Sequence, residues 1–242
     1  MTRVLHFVKK SELRKFVLQN QELEIEVNGR VFPPSLHGEF FAQNFKVNKD
    51  ENVIDVGTGT GILGILAAKL GGKVYATDIS KDAIELAKLN AEKNNVKIEF
   101  RFGQYFAGFE EKFDVIIANL PQEIVHKSYK KTIGSKLTKS INGGSTGNMS
   151  LLEFFDVAKD HMHGNSRLYI IVNTVTDYSS TLRKIIKNYS AKLIAFNSGP
   201  TKEFVEDNID WYLKLNEQGK IKIFKEKNKW KAHEYLFELS LK

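Results

Sequence analysis

Short apolar segments alternate with longer amphipathic ones along the chain from residue 52 onward. The apolar segments have the length of buried strands, and the amphipathic ones repeat apolar residues at helical spacing. The predicted strands are Val53–Val56, Lys73–Thr77, Ile98–Phe102, Phe113–Ala118, Ser166–Val172, Lys192–Phe196 and Glu234–Leu241. The predicted helices lie between a glycine loop and Leu70, after Ser80 through Lys93, and over Leu151–Met162 and Thr181–Asn188. This alternation predicts an α/β fold, doubly wound around a mostly parallel sheet.

The first 48 residues depart from this alternation and are interpreted as a hairpin-and-helix addition to a domain over residues 49–242. Ser11 is a candidate cap for a short helix. Strands over Leu23–Val27 and Arg30–Phe32, joined by Asn-Gly at 28–29, predict a tight hairpin. Ser35 is a candidate cap for the next helix. Near the other end, residues 200–232 interrupt the pattern and are interpreted as an insertion.

The composition narrows the classes of protein that fit. Hydrophobic residues are 42% and charged residues 27%, which excludes disordered and collagen-like chains. The chain has no cysteine, which excludes disulfides, thiolate zinc sites and thiol catalysis. The six histidines show no ligand spacing, so no metal is expected. Without a secretion signal or a long apolar run, a cytoplasmic protein with no membrane association is expected.

A glycine loop, Gly57-Thr-Gly-Thr-Gly61, follows the first predicted strand and opens a helix. Glycines allow a sharp turn and let a ligand approach the backbone, and the helix presents unpaired amides. Asp55 precedes the loop, and Asp78 ends the second strand about 20 residues later, where an acid can accept both hydroxyls of a ribose. This arrangement predicts a ligand that contains a nucleoside.

Two such ligands remain open. Gly59–Gly64 matches the dinucleotide fingerprint, and Asp78 suits the ribose of NAD. S-adenosylmethionine is favoured by Asp55, because a carboxylate there helps to bind an ammonium group and repels a pyrophosphate. Asp55 is also explained as a buried acid that satisfies backbone amides at a strand end.

Residues 53–63 and 74–80 strongly resemble the first two motifs of class I S-adenosylmethionine-dependent methyltransferases. The resemblance covers roughly residues 31–196 and implies a Rossmann-like, seven-stranded sheet with the cofactor across the carboxyl ends of the first two strands. The cofactor-binding residues it implies, besides Asp55, are Gly57, Thr58, Gly59 and Gly61 along the methionine and ribose, Asp78 on the ribose, Ile79 on the adenine, and Gln104 near the adenine amino group.

Asn119-Leu120-Pro121-Gln122 follows the fourth predicted strand. It resembles a degraded Asn-Pro-Pro-aromatic motif of amino-group methyltransferases, among them HemK-like protein glutamine enzymes and the small domain of ribosomal RNA enzymes. An amide nitrogen is a poor nucleophile, and accepting its N–H hydrogens on Asn119 and a backbone carbonyl fixed by Pro121 orients its lone pair. Asn119 and Pro121 are therefore the predicted catalytic residues. Leu120 and Gln122 depart from the motif, and an ordinary Asn-Pro loop is the alternative.

The net charge is +7, and two stretches concentrate lysine. The first runs from Lys127 to Lys139, and the second runs from Lys220 to Lys231 with Phe224 and Trp230 interleaved. Lysines neutralise phosphates and aromatic rings stack on unpaired bases, although a solvated surface explains the same pattern.

These features together predict an S-adenosylmethionine-dependent methyltransferase that modifies a nitrogen of a macromolecule, either RNA or a protein glutamine. Two alternatives stay open. One is an NAD-dependent oxidoreductase, supported by the dinucleotide fingerprint. The other is a non-catalytic RNA-binding scaffold with the same fold, supported by the altered fourth-strand motif and the lysines.

Overall fold

The computed structural model describes residues 11–127 and 142–242. Its strands are β1 Glu12–Leu18, β2 Gln21–Val27, β3 Asn52–Val56, β4 Lys73–Asp78, β5 Ile98–Phe102, β6 Phe113–Ala118, β7 Met162–Asn173, β8 Tyr189–Pro200, β9 Ile223–Glu226 and β10 Lys229–Leu241. Its helices are α1 Leu36–Ala42, α2 Ile62–Lys69, α3 Lys81–Lys93, α4 Met149–Ala158, α5 Tyr178–Asn188, α6 Glu203–Glu206 and α7 Ile209–Glu217, with a 3₁₀ turn over Lys159–His161.

The main sheet of the described part has the strand order β5-β4-β3-β6-β7-β10-β8, and β9 pairs with one end of β10. The strands from β5 through β7 are parallel, whereas β10 lies antiparallel between β7 and β8. The mostly parallel, seven-stranded, doubly wound sheet is thus confirmed, with β9 as an addition. The chain proceeds outward in opposite directions from β3 and β6, which opens a crevice at their carboxyl ends.

Alternate residues of the central strands enter two different cores. Val115 and Ile117 of β6 face a core shared with α1, α2 and the β1–β2 hairpin. Ile116 and Ala118 face the opposite core, shared with α4 and α5. Both faces are therefore covered, which explains why β6 is apolar throughout.

The helix predicted from Ser11 is wrong, because residues 12–18 form strand β1, paired with β2. Phe16 and Leu18 are buried in the strand's alternating pattern, whereas Leu13 and Val17 are exposed. The tight turn of the hairpin lies at Gln19-Asn20, both with positive φ. The chain therefore does form a hairpin, but β2 pairs with the preceding strand β1 and not with residues 30–32.

The strand predicted over Arg30–Phe32 is also wrong. The second edge of β2 is already occupied by the side chains of Asn90 in α3 and of Asn94 just after it. They bond to the backbone of Glu26 and Glu24, respectively. A third strand has no backbone groups to pair with there. The Asn28 side chain instead accepts from the backbone of Arg30, and the chain turns away.

Other boundaries move without changing the architecture. The Ser35 hydroxyl caps α1, as predicted, by accepting from the amide of Gly38. The helix predicted over Leu151–Met162 ends at Ala158, and Met162 already begins β7.

The 200–232 segment forms α6, α7 and β9 around a small core of its own. Phe204, Tyr212 and Ile223 pack there against Ile124 and Val175, which follow the carboxyl ends of β6 and β7. The segment therefore lies over the crevice end of the sheet. We call it the cap.

Candidate active site

A cavity of about 550 Å³ lies at the carboxyl ends of β3, β4 and β6. It extends from the glycine loop, past the tip of β6, to the start of the cap. Of the ten site residues predicted from the sequence, the eight that line it are Gly57, Thr58, Gly59, Asp78, Ile79, Gln104, Asn119 and Pro121. Asp55 and Gly61 lie behind the cavity wall.

The glycine loop is fixed by β4, since the amides of Gly57 and Thr58 both donate to the Thr77 carbonyl at 2.9 and 3.0 Å. Gly59 has φ +56, and a Cβ added there meets no atom within 4 Å. A ligand can therefore approach the backbone of Gly59 closely. Gly61 has a different role, because its added Cβ would lie 3.1 Å from that of Ala87. The glycine at 61 lets α2 pack on α3.

Asp55 is only 1% exposed. Its Oδ2 accepts from the Thr58 hydroxyl at 2.7 Å and from the Gly64 amide at 3.0 Å. Burial raises the pKa of Asp55 to about 6, against the opposing effect of these two hydrogen bonds. The carboxylate therefore holds the loop from behind, through Thr58 and Gly64.

Asp78 lies on the cavity wall itself. Its two oxygens accept from the amides of Gly59, at 3.0 Å, and Ser80, at 2.8 Å. Burial raises the pKa of Asp78, although these amides favour its charged form. Ile79 next to it is 63% exposed, so an apolar surface and a carboxylate adjoin as a base and its ribose require.

Asn119 faces the same cavity from the tip of β6. Within residues 11–127 and 142–242, its carboxamide has no hydrogen-bond partner. Gly38 of α1 lies opposite, where an added Cβ would be 3.7 Å from the Asn119 Nδ2. The half-buried amide of Asn119 is therefore accessible from the cap side of the cavity.

Gln122, which stands where the motif has an aromatic residue, is buried and holds the tips of two strands together. Its Nε2 donates to the Ile171 carbonyl at 2.7 Å, and its Oε1 accepts from the Asn173 amide at 3.3 Å. The side chain keeps the Asn119 loop in register with β7. A stacking role for position 122 is replaced by a structural one.

A salt bridge and a histidine–carboxylate contact on the cap side of the cavity have no signal in the sequence. Glu123, which is 6% exposed, pairs with Lys202 at the start of the cap. His37 Nδ1 lies 2.8 Å from Glu234 Oε1. The partners are about 80 and 200 positions apart, and no local pattern links such positions.

The charge of Glu234 is maintained by its surroundings. Burial alone would raise the pKa of Glu234, but His37, the Asn197 amide and the charge of Lys202 together hold that pKa below its usual value. The cap side of the cavity therefore carries fixed charges of both signs.

In the part of the chain that the structure describes, no three His, Asp or Glu side chains are grouped to hold a metal ion. No helix of that part is long and apolar enough to cross a membrane. Of the first lysine stretch, Lys127 is exposed, and its other lysines lie outside the described residues.

Comparison with known proteins places these features in a family. Residues 37–195 match the family model described as "Methyltransferase small domain". A ribosomal protein L11 methyltransferase of Dictyoglomus thermophilum is 41% identical over 118 residues, which are 42% of this chain and 39% of that protein. A putative protein N5-glutamine methyltransferase of Methanocaldococcus jannaschii is 28% identical over 170 residues, or 70% of this chain and 85% of that protein.

Among solved structures, the T. thermophilus 16S rRNA N2 G1207 methyltransferase in complex with AdoMet and guanosine has a TM-score of 0.60 at 14% identity, covering 96% of this chain and 51% of that one. At this identity the likeness concerns the fold. The chain thus spans about two fifths of its L11 methyltransferase relative and about half of this structural neighbour.

Proposed function

Because the chain belongs to the methyltransferase small domain family, we propose that it transfers the methyl group of S-adenosylmethionine to a nitrogen atom of a macromolecule. One observation carries this proposal. A ribose-type carboxylate, Asp78, and an amide without a partner among the described residues, Asn119, line one cavity on opposite sides of the glycine loop. Cofactor binding and acceptor binding are therefore assigned to different parts of one cavity.

The residues present fit the cofactor. The open space at Gly59 admits a ligand against the backbone, the Asp78 carboxylate suits ribose hydroxyls, and exposed Ile79 suits the adenine face. Gln104 lines the cavity beside them as a candidate partner for the adenine amino group. When bound, S-adenosylmethionine supplies a methyl group on a positively charged sulfur, which retains the electron pair of the broken bond as a neutral thioether.

Asn119 acts on the acceptor. Its side-chain oxygen accepts one N–H hydrogen and a carbonyl of the Pro121 region accepts another, so that the nitrogen lone pair points toward the methyl group. Gln122 keeps this loop attached to β7. The rate enhancement comes from the position of the nitrogen and from oriented dipoles. The proton lost by the nitrogen passes to solvent.

The acceptor class is open between two macromolecules. The Methanocaldococcus jannaschii relative, covered over most of its length, carries the name of a protein N5-glutamine methyltransferase. The lysine-rich second stretch favours RNA.

Radiolabelled methyl transfer into fractionated cell extract tests the proposal. Label is expected in a fraction that either nuclease or protease removes, and that treatment identifies the acceptor class. Asn119→Ala serves as the inactive control. Absence of label from every fraction would contradict the proposal and favour a non-catalytic scaffold.

A further inference from the structure

Aromatic rings form a continuous row across β9, β10 and β8. Phe224 lies 4.6 Å from His233 between ring centroids, His233 lies 5.3 Å from Phe196, and Phe196 lies 5.2 Å from Tyr235. Phe196 is 53% exposed, although large apolar side chains are usually buried. We call these four residues the aromatic row.

The row lies on one face of the three strands, and the opposite face of β9 and β10 is buried. Ile223 and Ala232 point into the core of the cap. Phe224 and His233, their neighbours along the strands, therefore point away from that core. The rings are thus held on a rigid sheet and have a side open to solvent.

Exposed lysines lie in β9 and just before and after it, and one of them, Lys225, lies over the Trp230 ring on the face away from the row. Five of the six lysines between 220 and 231 are exposed and have no ion pair within the described residues: Lys220, Lys222, Lys225, Lys227 and Lys229. The sixth, Lys231, pairs with Glu226. Burial, together with the charge of Lys222, lowers the pKa of His233, which favours the neutral form of its ring. Uncompensated positive charge beside flat rings complements a chain of phosphates and bases.

The row begins next to the cavity. The Thr174 amide donates to the His233 carbonyl at 3.0 Å, and the Lys222 amide donates to the Thr174 carbonyl at 2.7 Å. Asn173, one residue earlier, lines the cavity. The backbone under the row therefore adjoins the cavity wall, while the rings project from the face of β10 opposite to Glu234, which contacts His37 of that wall.

We propose that the aromatic row and the surrounding lysines bind single-stranded RNA, with bases stacked on the rings, and thereby deliver the acceptor nucleotide to the cavity. Single strands are favoured over duplexes because only unpaired bases expose their faces for stacking. The Ser198 hydroxyl, 2.9 Å from His233 Nδ1, places a polar group in the row that can bond a ribose 2′-hydroxyl. The delivery step rests on the proposed methyl transfer, whereas the binding itself does not.

Fluorescence anisotropy with a labelled RNA of about 12 nucleotides tests the binding, since stacking surfaces of this kind occupy about 4–16 nucleotides. Phe196→Ala and Phe196→Leu are each expected to weaken binding about tenfold, whereas Phe196→Trp keeps it within about twofold, because only rings stack on bases. Leu89→Ala, at an exposed position of α3, is the control and should change nothing.

The lysines have a separate readout. The slope of log affinity against log salt concentration changes by about 0.7 for each phosphate contact of a single strand. The double variant Lys220→Gln with Lys222→Gln is therefore expected to make this slope shallower by about 1.4. Lys88→Gln with Lys97→Gln, a matched exposed pair in and after α3, should leave the slope unchanged. Circular dichroism and binding of S-adenosylhomocysteine confirm that each variant is folded.

Several outcomes would overturn the inference. These are no binding of the RNA by the wild-type protein, tighter binding of a duplex or of single-stranded DNA, or Phe196→Leu behaving as wild type, which would indicate a protein partner. If methyl transfer persists while RNA binding fails, this inference fails alone. If RNA binds as expected but S-adenosylhomocysteine does not, the proposed reaction fails and the RNA surface stands.

Discussion

Asp55 and Asp78 are both carboxylates next to the glycine loop, yet they act in different ways. Asp55 holds the loop from behind through Thr58 and Gly64, and Asp78 faces the cavity. The two motifs thus contain one structural acid and one ligand-facing acid. Only the ligand-facing acid is expected to bind the ribose.

The raised pKa of Asp55 predicts a pH dependence of stability. Because burial raises its pKa from 3.8 to about 6, the folded protein holds more protons than the unfolded chain between these values. The free energy of unfolding therefore falls as pH rises through this window, by up to roughly 3 kcal/mol from this residue.

Asp55→Asn is expected to remove that part of the slope in urea unfolding from pH 4 to 7. Asp210→Asn, at an exposed position, is the control, and equal slopes in the wild type and Asp55→Asn would contradict the assignment.

The proposed role of Asn119 concerns the acceptor and not the cofactor. Asn119→Ala is expected to lower the rate of methyl transfer by about 100-fold or more, because a transition-state hydrogen bond is lost. The affinity for S-adenosylhomocysteine should stay within about twofold, since Asp78 and Gly59 are untouched. Single-turnover kinetics and calorimetry measure the two quantities, with Asn165→Ala as an exposed control. Equal losses in both would show that Asn119 belongs to the cofactor site.

At the scale of elements, Asn90 connects the hairpin to the glycine loop. Its Nδ2 donates to the Thr60 carbonyl at 2.9 Å and to the Glu26 carbonyl at 3.0 Å, while its Oδ1 accepts from the Glu26 amide at 2.7 Å. The N-terminal hairpin therefore supports the site from behind α3.

Asn90→Ala leaves these buried backbone groups without partners. The free energy of unfolding is expected to fall by about 2 kcal/mol, and cofactor affinity should fall severalfold because the loop is released at Thr60. Denaturant unfolding and calorimetry test this, with exposed Glu85→Ala on the same helix as control. Loss of stability with unchanged cofactor affinity would show that the hairpin does not act on the loop.

The cap is attached through the pair of Glu123 and Lys202. Lys202→Met leaves the buried Glu123 carboxylate unpaired and is expected to cost about 2 kcal/mol of stability. The double variant Glu123→Gln with Lys202→Met should recover more than half of that loss, because the buried charge is gone. Thermal unfolding of the two variants measures this, with exposed Lys220→Met as control. No recovery in the double variant would show that Lys202 contributes packing only.

Elements were predicted well where burial on both faces makes a strand continuously apolar, as in β6, and where a cap residue begins a helix, as at Ser80. The segment before Gln19 is predicted as a helix because Leu13, Phe16 and Val17 have helical spacing, while its buried residues follow the strand period. Pairing with β2 selects the strand over the helix. Asn90 and Asn94 then block the second edge of β2, which no local pattern reveals.

For the molecule as a whole, the family resemblance implies where the cofactor lies on the sheet but not what closes the crevice. The cofactor half of the site comes from adjacent segments, so Asp78 and the glycine loop were found directly. The cap half needs β10 to insert between β7 and β8, which brings Glu234 beside His37. Contacts between residues so far apart in the sequence form only when the complete sheet is assembled. For this reason the charges around the acceptor were not predicted.

The central claim is that the cavity holds an adenosyl sulfonium compound with its ribose on Asp78. Titration calorimetry with S-adenosylhomocysteine and with NAD, on the wild type and Asp78→Ala, tests it most directly. Binding of S-adenosylhomocysteine alone is expected, weakened about 30-fold or more in Asp78→Ala, since bidentate hydrogen bonds to a charged group are worth about 2 kcal/mol or more. Binding of NAD in its place, or equal affinity in Asp78→Ala, would contradict the account.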